Sequence, residues 1–339
     1  MTKPSVKRIA EITGLSTATV SNALGKKRGV SQSSVEKVFE ACKKLGYTVQ
    51  QKIKGIKLII YKREGQVVGD TPFFQELIAG VNDECKALGY ENHILYLERF
   101  KKDFDFQLNS ALNDSSNAIL LLATEMHTED LKPFKKALSP VLLLDGWFDG
   151  SGFSAFTINN TDSVFEATEY LIKKGHKKIG YLRGKIRIHN FFYRESGWRR
   201  SMGLHRYPID EKHVLTIGTT PQGAYEDMLD IIKKRKKSSK KDNLPTAFIS
   251  DNDIIAMGAL KALKQSGYKI PDDISIIGFD DMPYADMVDP PLTTILVRKR
   301  EMGKAAVRQL NNMIKSPQDI ILKSEICNEF VERGSVKNI

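Results

Sequence analysis

The stretch Ser5–Leu24, SVKRIAEITGLSTATVSNAL, restricts what this chain can fold into more than any other part of it. It predicts two short helices joined by a tight turn. Helix one runs from about Val6 to Ile12 behind an N-cap at Ser5. Gly14 stands where the chain must reverse, because only glycine takes a left-handed backbone there without steric cost. Ser16 caps a second helix over Thr17–Leu24. Ile9, Ala10, Leu15, Val20 and Leu24 can then meet between the helices, with Ala10 small enough for close approach. Thr17, Ala18, Ser21 and Asn22 are left on the outer face of the second helix. In a helix-turn-helix that face enters the major groove of DNA.

The distribution of charge agrees. The chain carries a net charge of +11. Residues 1–55 hold eleven Lys/Arg against three acids, a balance of +8, and the remainder carries only +3. A basic segment beside a reading helix is the electrostatic footprint of a protein that grips the phosphate backbone. A third helix is expected over Ser31–Leu45, capped by Ser31. Its Val35, Val38, Phe39, Cys42 and Leu45 fall at helical spacing and would pack on the first two. Gly46 ends it, and Tyr47 is expected to fold back onto the small core.

A chain of 339 residues is too long for one ordinary domain, so two or three are expected. At 41% hydrophobic and 27% charged residues, the composition is that of a soluble globular protein. No apolar run approaches membrane-spanning length and no signal-peptide core opens the chain, so a cytoplasmic location with no membrane partner is expected. Cys42, Cys85 and Cys327 lie far apart and suit a reducing compartment. They lack metal-ligand spacing, and neither a metal nor a cofactor is expected.

Over the first 47 residues the order of residues becomes specific: Val6-x-x-Ile-Ala, Gly14-Leu-Ser-x-x-Thr-Val-Ser, Val30-Ser and Leu45-Gly-Tyr47. This resembles the headpiece of the LacI/GalR family of bacterial transcriptional regulators. The resemblance implies that Thr17, Ala18 and Asn22 read bases, and that Ser16, Ser21 and Ser31 contact phosphates or set register. Lys7 completes the expected DNA-binding set. Asn22 suits adenine, since its amide can accept from N6 and donate to N7, while Ala18 offers only a methyl contact, most naturally to thymine. After the tyrosine, family members usually continue with Pro-Asn and a short hinge helix that wedges a leucine into the minor groove. Here the segment is Thr48-Val-Gln-Gln-Lys-Ile-Lys-Gly55, which spans roughly 27 Å when extended. Ile53 is the apolar side chain available as a wedge, and the usual minor-groove kink is not expected.

From Ile56 the pattern changes to strand–helix alternation. Strands are expected near 56–61, 92–97, 118–123 and 141–145, then near 154–158, 178–182, 213–217, 246–250 and 274–279. Helices are expected near 73–88, 103–113 and 128–138, then near 161–174, 193–204, 222–236 and 252–266. Continuous apolar strand cores fit parallel sheets buried on both faces. The fold class expected is therefore an all-α helix-turn-helix headpiece followed by α/β, with two doubly wound parallel-sheet lobes. The tail reads as a strand at 292–297, a helix at 298–315 and an extended segment at 319–330. The family's sensor region is similar to periplasmic sugar-binding proteins, whose chain crosses between lobes three times. That implies a headpiece at 1–47, a shortened linker at 48–55 and an effector-binding domain at 56–334. Lobe one would hold about 56–153 plus 292–318, and lobe two about 154–291 plus 319–334. The run Lys233–Lys241 carries seven positive charges and is read as a solvated loop extending a helix end.

Several short motifs carry the family resemblance into this region: Pro72-Phe-Phe-x-Glu76, Val141-Leu-Leu-Leu-Asp145, Gly175-His-Lys-Lys-Ile179, Arg194-x-x-Gly197-Trp198, Asn252-Asp253-x-x-Ala256 and Gly278-Phe-Asp280-Asp281. Polar groups at the carboxyl edge of such sheets point into the interlobe cleft. Asp280 can accept from hydroxyls or amino groups, and Arg194 is a fixed cation with five donors. Phe73 or Phe74 can stack on an apolar ring face, with the other in the core. Asn190 and Asn252 can act at the rim, and Asp145 ends a strand there. His189 is read as a loop residue. The aromatic that many members place after the 213–217 strand is missing, with Thr219-Thr-Pro-Gln222 in its place.

The function expected is a ligand-responsive, sequence-specific DNA-binding regulator, a repressor that binds a near-palindromic operator as a homodimer and senses a sugar-like small molecule. A solute-binding protein without a regulatory role is the alternative, and it leaves the reading helix unexplained. An enzyme is not expected: no Gly-x-Gly-x-x-Gly follows a strand, and neither a phosphate loop nor a nucleophile elbow appears.

Overall fold

The computed structural model describes residues 5–24, 30–45, 53–69, 71–237, 244–317 and 320–339. The amino-terminal unit is three helices, α1 (Val6–Thr13), α2 (Thr17–Leu24) and α3 (Gln32–Lys44). Ser5 caps α1 by accepting from the Arg8 amide at 3.3 Å. Gly14 ends α1 at φ 70°, in the left-handed region. Ser16 Oγ accepts from the Thr19 amide at 3.0 Å and starts α2, and Ser31 does the same for α3. Ile9, Ala10, Val20, Ala23, Val38, Ala41 and Cys42 form the small core. Leu15, Leu24, Val35 and Leu45 pack at its edge. Ala23 and Ala41 are additions to the expected set, while Phe39, expected to pack there, is half-buried. The turn at Gly46–Tyr47, and residues 48–52 of the linker, lie outside the described residues. Ile53, considered above as a wedge for DNA, instead packs against the core of the first sheet.

The remainder alternates strands and helices in the order β1 (Gly55–Lys62), α4 (Pro72–Leu88), β2 (Glu91–Glu98), α5 (Phe104–Leu112), β3 (Asn117–Leu122), β4 (Val141–Leu144), β5 (Ser154–Ile158), α6 (Asn160–Lys173), β6 (Ile179–Gly184), α7 (His189–Leu204), β7 (Val214–Ile217), α8 (Pro221–Lys237), β8 (Ala247–Ser250), α9 (Asp253–Gln265), β9 (Ser275–Ile277), β10 (Thr294–Leu296), α10 (Lys299–Lys315), β11 (Lys323–Ile326) and β12 (Glu329–Val331). The expected helix at 128–138 is a 3-10 helix, Thr128–Lys136, with Pro133 inside it. In an α-helix the proline ring would clash with the carbonyl four residues earlier.

Six strands form one sheet in the order β11-β5-β4-β3-β1-β2, and four form a second in the order β7-β6-β8-β9. Every pairing within these two sheets is parallel. A short antiparallel pair, β10 with β12, accompanies the crossings between the sheets. Residues 154–158 and 323–326, expected in lobe two, both belong to the first sheet, where β5 pairs with β4 and β11 pairs with β5. An apolar run states that a strand is buried but not which sheet receives it, so the register corrects the boundary. The chain crosses at Asn159, again between β10 and α10, and a third time after β11.

Both faces of the first sheet are covered, as parallel strands require. Along β1, Ile56, Leu58 and Ile60 join the core under α4 and α10, while Ile59 and Tyr61 join the one under α5. This is the period of two that a pleated strand imposes. The second sheet divides likewise: Leu182, Phe248 and Ile276 pack under α8 and α9, and Tyr181, Ile249 and Ile277 face α6 and α7. β2 is the exception, an edge strand with Ile94 and Tyr96 exposed. Among the described residues no helix is long and apolar enough to cross a membrane.

Candidate DNA-reading face and effector cleft

Two places concentrate the expected site residues. On α2, Val20 and Ala23 turn inward, and Thr17, Ala18 and Ser21 are exposed, with Asn22 half-buried beside them. Lys7, Ser16 and Ser31 are exposed as well. Ser16 and Ser31 use a lone pair each to cap a helix. Each hydroxyl also meets a neighbouring one, Ser16 Oγ with Thr19 Oγ1 at 2.8 Å and Ser31 Oγ with Ser34 Oγ at 2.8 Å, so a phosphate would exchange with these local contacts.

The second place is a cavity of about 40 Å³ between the two sheets. Phe73, Phe74, Asp145, Asn190, Arg194, Asn252 and Asp280, the seven side chains expected at the effector site, all line it. Topology explains the convergence. Phe73 and Phe74 stand in the first turn of α4, Asp145 follows β4, Asn252 caps α9 and Asp280 follows β9. All lie at the carboxyl ends of parallel strands or the amino ends of the helices that follow. α7 begins at His189 rather than near 193, which places Asn190 and Arg194 one turn apart on a single face.

The polar groups form one network. Thr124 donates to Asp145 Oδ2 at 2.7 Å, and Asn190 Nδ2 donates to Asp145 Oδ1 at 2.9 Å. Asn160 donates to Asn190 at 3.2 Å and accepts from Arg194 Nε at 2.8 Å. Arg194 also donates to the Asp251 carbonyl at 2.5 Å, and its Cζ sits over the Phe279 ring, 3.6 Å from the centroid. Arg194 Nη2 is 3.4 Å from Asp280 Oδ1, a buried oxygen with no hydrogen-bond partner among the described residues. Phe73 and Phe74 meet edge to face, with centroids 5.0 Å apart. Both line the cavity and both belong to the core, so the expected division between them does not hold.

Burial sets the ionisation of this site. It pushes the Asp145 carboxyl up to about 6, against the hydrogen bond from Thr124 and the charge of Arg194. Asp280 is raised by burial too, opposed by Arg194 and Lys299. Asp145 and Asp280 hold backbone φ values of 56° and 107°. Such conformations are costly outside glycine and gather at functional sites.

Several participants escaped the sequence reading. Thr124, Val67, Thr71, Ile188, Phe191, Ile254 and Met282 also line the cavity. Beneath it, Asp251 accepts from Tyr181 Oη at 2.6 Å, the Gly184 amide at 2.7 Å and Arg187 at 2.6 Å. Burial lifts its carboxyl to about 6 despite the Arg187 guanidinium. The run Asp251-Asn252-Asp253 directly after a strand was the available signal. His189 opens α7 and packs edge-on against Phe148 instead of lining the cavity. Of the basic run, 233–237 form the last turn of α8 and 238–241 lie outside the described residues.

Known proteins match on both places. Residues 5–50 match the model of bacterial regulatory proteins, lacI family, and residues 168–336 match a periplasmic binding protein-like domain. The HTH-type transcriptional repressor PurR of Histophilus somni (strain 129Pt) is 31% identical over 353 residues, covering 99% of each chain. PurR of Haemophilus influenzae (strain PittEE) is 29% identical over 342 residues, again 99% of each. Among solved structures, a transcriptional regulator CelR–cellobiose complex superposes with a TM-score of 0.73 at 21% identity, covering 98% of this chain and 99% of that one. A lac repressor dimer bound to operator and the anti-inducer ONPF gives 0.70 at 20% identity, covering 99% and 100%. These last two are likenesses of fold. With the PurR repressors matched nearly end to end, this chain belongs to the lacI family of bacterial regulatory proteins and is a DNA-binding transcriptional regulator, not an enzyme.

Proposed function

We propose that this regulator is a cytoplasmic repressor that binds a near-palindromic operator as a homodimer and responds to a sugar or sugar derivative held in the interlobe cleft. The observation that carries the reading is that one chain holds both an exposed polar helix face on a basic trihelical unit and a cleft whose floor is Arg194 and Asp280. Phosphate contacts by the basic segment supply affinity, and Thr17, Ala18 and Asn22 supply base preference. Two-fold symmetry of the protein calls for two half-sites. Tyr284 and Met287 are 56% and 77% exposed, and Tyr284 borders a groove with Met257 and Val288. This exposed apolar rim is a surface that a second copy would cover in the proposed dimer, and the lac repressor of similar fold is a dimer on its operator.

In the cleft, carboxylates accept from hydroxyls, Arg194 donates, and the phenylalanine pair offers an apolar face. At about 40 Å³ the cavity has room for roughly three waters. An effector therefore enters only as the walls part, and its binding energy acts on the angle between the lobes. The domain reading, amended by the sheet register, is a headpiece through residue 47 and a sensor beyond the linker. The test is selection of duplexes from a random pool followed by gel-shift titration, with and without cellobiose or ribose. Enrichment of a near-palindrome, affinity falling steeply with salt, and a shift in affinity with sugar are expected. Equal affinity for every sequence would overturn the reading.

A further inference from the structure

One buried carboxylate stands beside the cleft without lining it. Glu125 follows β3 directly after Thr124, and only 4% of it is exposed. Its Oε2 accepts from the amides of Arg63 at 2.8 Å, Glu64 at 3.0 Å and Gly65 at 2.8 Å. Its Oε1 accepts from Val67 at 2.9 Å and Val68 at 2.7 Å. Five main-chain donors from one loop thus converge on a single side chain. Gly65 adopts φ 67° with open space around it, so conformation rather than crowding favours glycine there. Successive amides that converge in this way make an anion cradle, and here the occupant is built into the chain.

The placement of this loop gives the cradle its consequence. The loop joins β1 to α4, and Val67, Thr71, Phe73 and Phe74 of this connection and the helix it feeds line the cleft. The other side of Glu125 is Thr124, which donates to Asp145. We propose that Glu125 is a positioning residue for ligand recognition. Its carboxylate holds the β1–α4 loop against β3, so that the first sheet's wall of the cleft stands preformed before a ligand arrives. Without that charge the five amides turn to water, the loop departs from β3, and Val67 and Thr71 leave their places. The ligand-binding consequence rests on the cleft being the effector site, whereas the placement of the loop does not.

Hydrogen exchange on the full chain, comparing wild type, E125Q and E125A with and without formate in large excess, tests this. In E125A the amides of residues 63–65, 67 and 68 are expected to exchange at least about 100-fold faster, with those of β1 changing less than about threefold. E125Q keeps one acceptor oxygen and turns an NH₂ group toward donors, so an intermediate loss is expected. Formate fits the space left in E125A and is expected to slow exchange there, but not in E125Q, where the amide still fills the cradle. Equal acceleration of the loop and β1, or no rescue by formate, would reduce Glu125 to an ordinary core group and overturn the proposal. A parallel thermal-shift titration with cellobiose and ribose separates the two readings. If either sugar stabilises wild type, it should fail with E125A and recover with formate, and unchanged binding by E125A would also overturn the proposal. If neither sugar stabilises wild type while the exchange result holds, the positioning stands and the sugar assignment falls.

Discussion

The headpiece and the cleft solve opposite problems of assembly. The headpiece draws its core, Ile9, Val20 and Val38 foremost, from one short run of chain and leaves Thr17, Ala18 and Ser21 of α2 in solvent. The cleft gathers Phe73, Asp145, Asn190, Asn252 and Asp280 from separate connections of two sheets and buries them. A local unit can be read from periodicity and capping, and its outer face waits for a partner. A site made by convergence is already engaged with itself: Arg194 is committed to Asn160, Asp251 and Phe279 before any ligand binds. Its energetics are therefore those of a buried network, while those of the headpiece surface are screened and salt-dependent.

The sharpest way to break this contrast is Arg194→Ala. It removes the guanidinium 3.4 Å from Asp280 and leaves Asn160 without its donor. Removing one member of a buried charged set costs about 3–5 kcal/mol. Calorimetry should show the sensor region melting well below wild type, with a loss of under about 1 kcal/mol refuting the idea of a single network. Ile9→Ala acts on the other side. Ile9 is wholly buried, and a truncation of this kind costs about 2–5 kcal/mol, enough to unfold so small a core. DNA binding should vanish while the sensor's transition stays in place. If both transitions moved together, the two regions would not be independent.

A smaller effect concerns pH. Asp253 is fully buried and accepts from Thr294 Oγ1 at 2.5 Å and the Met282 amide at 2.7 Å. Burial first, and the neighbouring Asp280 charge second, push its carboxyl from 3.8 up to about 8. Between those values the folded chain holds a proton that the unfolded chain has released, so stability falls as pH rises through that window. Asp145 and Asp251, both raised to about 6, add to the lower part of the slope. Asp253→Asn, which mimics the protonated acid, should raise the melting temperature most at pH 8, by progressively less as the pH falls, and leave it nearly unchanged only below about pH 4. A wild-type melting temperature that rises with pH across this range would contradict the assignment.

Legibility follows the same division. The turn at Gly14, the caps at Ser5 and Ser16 and the exposed face of α2 could all be read because each depends on neighbours within a few residues. The parallel strands could be read from continuous apolar runs such as Leu120–Leu122. Which sheet received Ser154–Ile158 could not, since membership is decided by pairing with β4 and β11. Six of the seven cleft residues lie in the motifs that carry the resemblance, Asn190 was placed at the rim by its side-chain chemistry alone, and Thr124, Glu125 and Asp251 were missed. Their roles depend on hydrogen bonds to residues about twenty or more positions away, and nothing in their own surroundings in the chain reports those partners. Pro133 shows a local signal passed over, because its ring explains the 3-10 geometry of Thr128–Lys136.

The most direct measurement is the affinity of the full chain for its selected operator against a scrambled duplex of equal length, before and after Thr17→Ala, Ala18→Gln and Asn22→Ala are introduced together. A well-formed pairing between a side chain and a base edge contributes about 1–3 kcal/mol of discrimination, so the preference for the operator should collapse while salt-sensitive binding to both duplexes remains. An unaltered preference in the triple variant would contradict the reading of α2 as the element that recognises sequence.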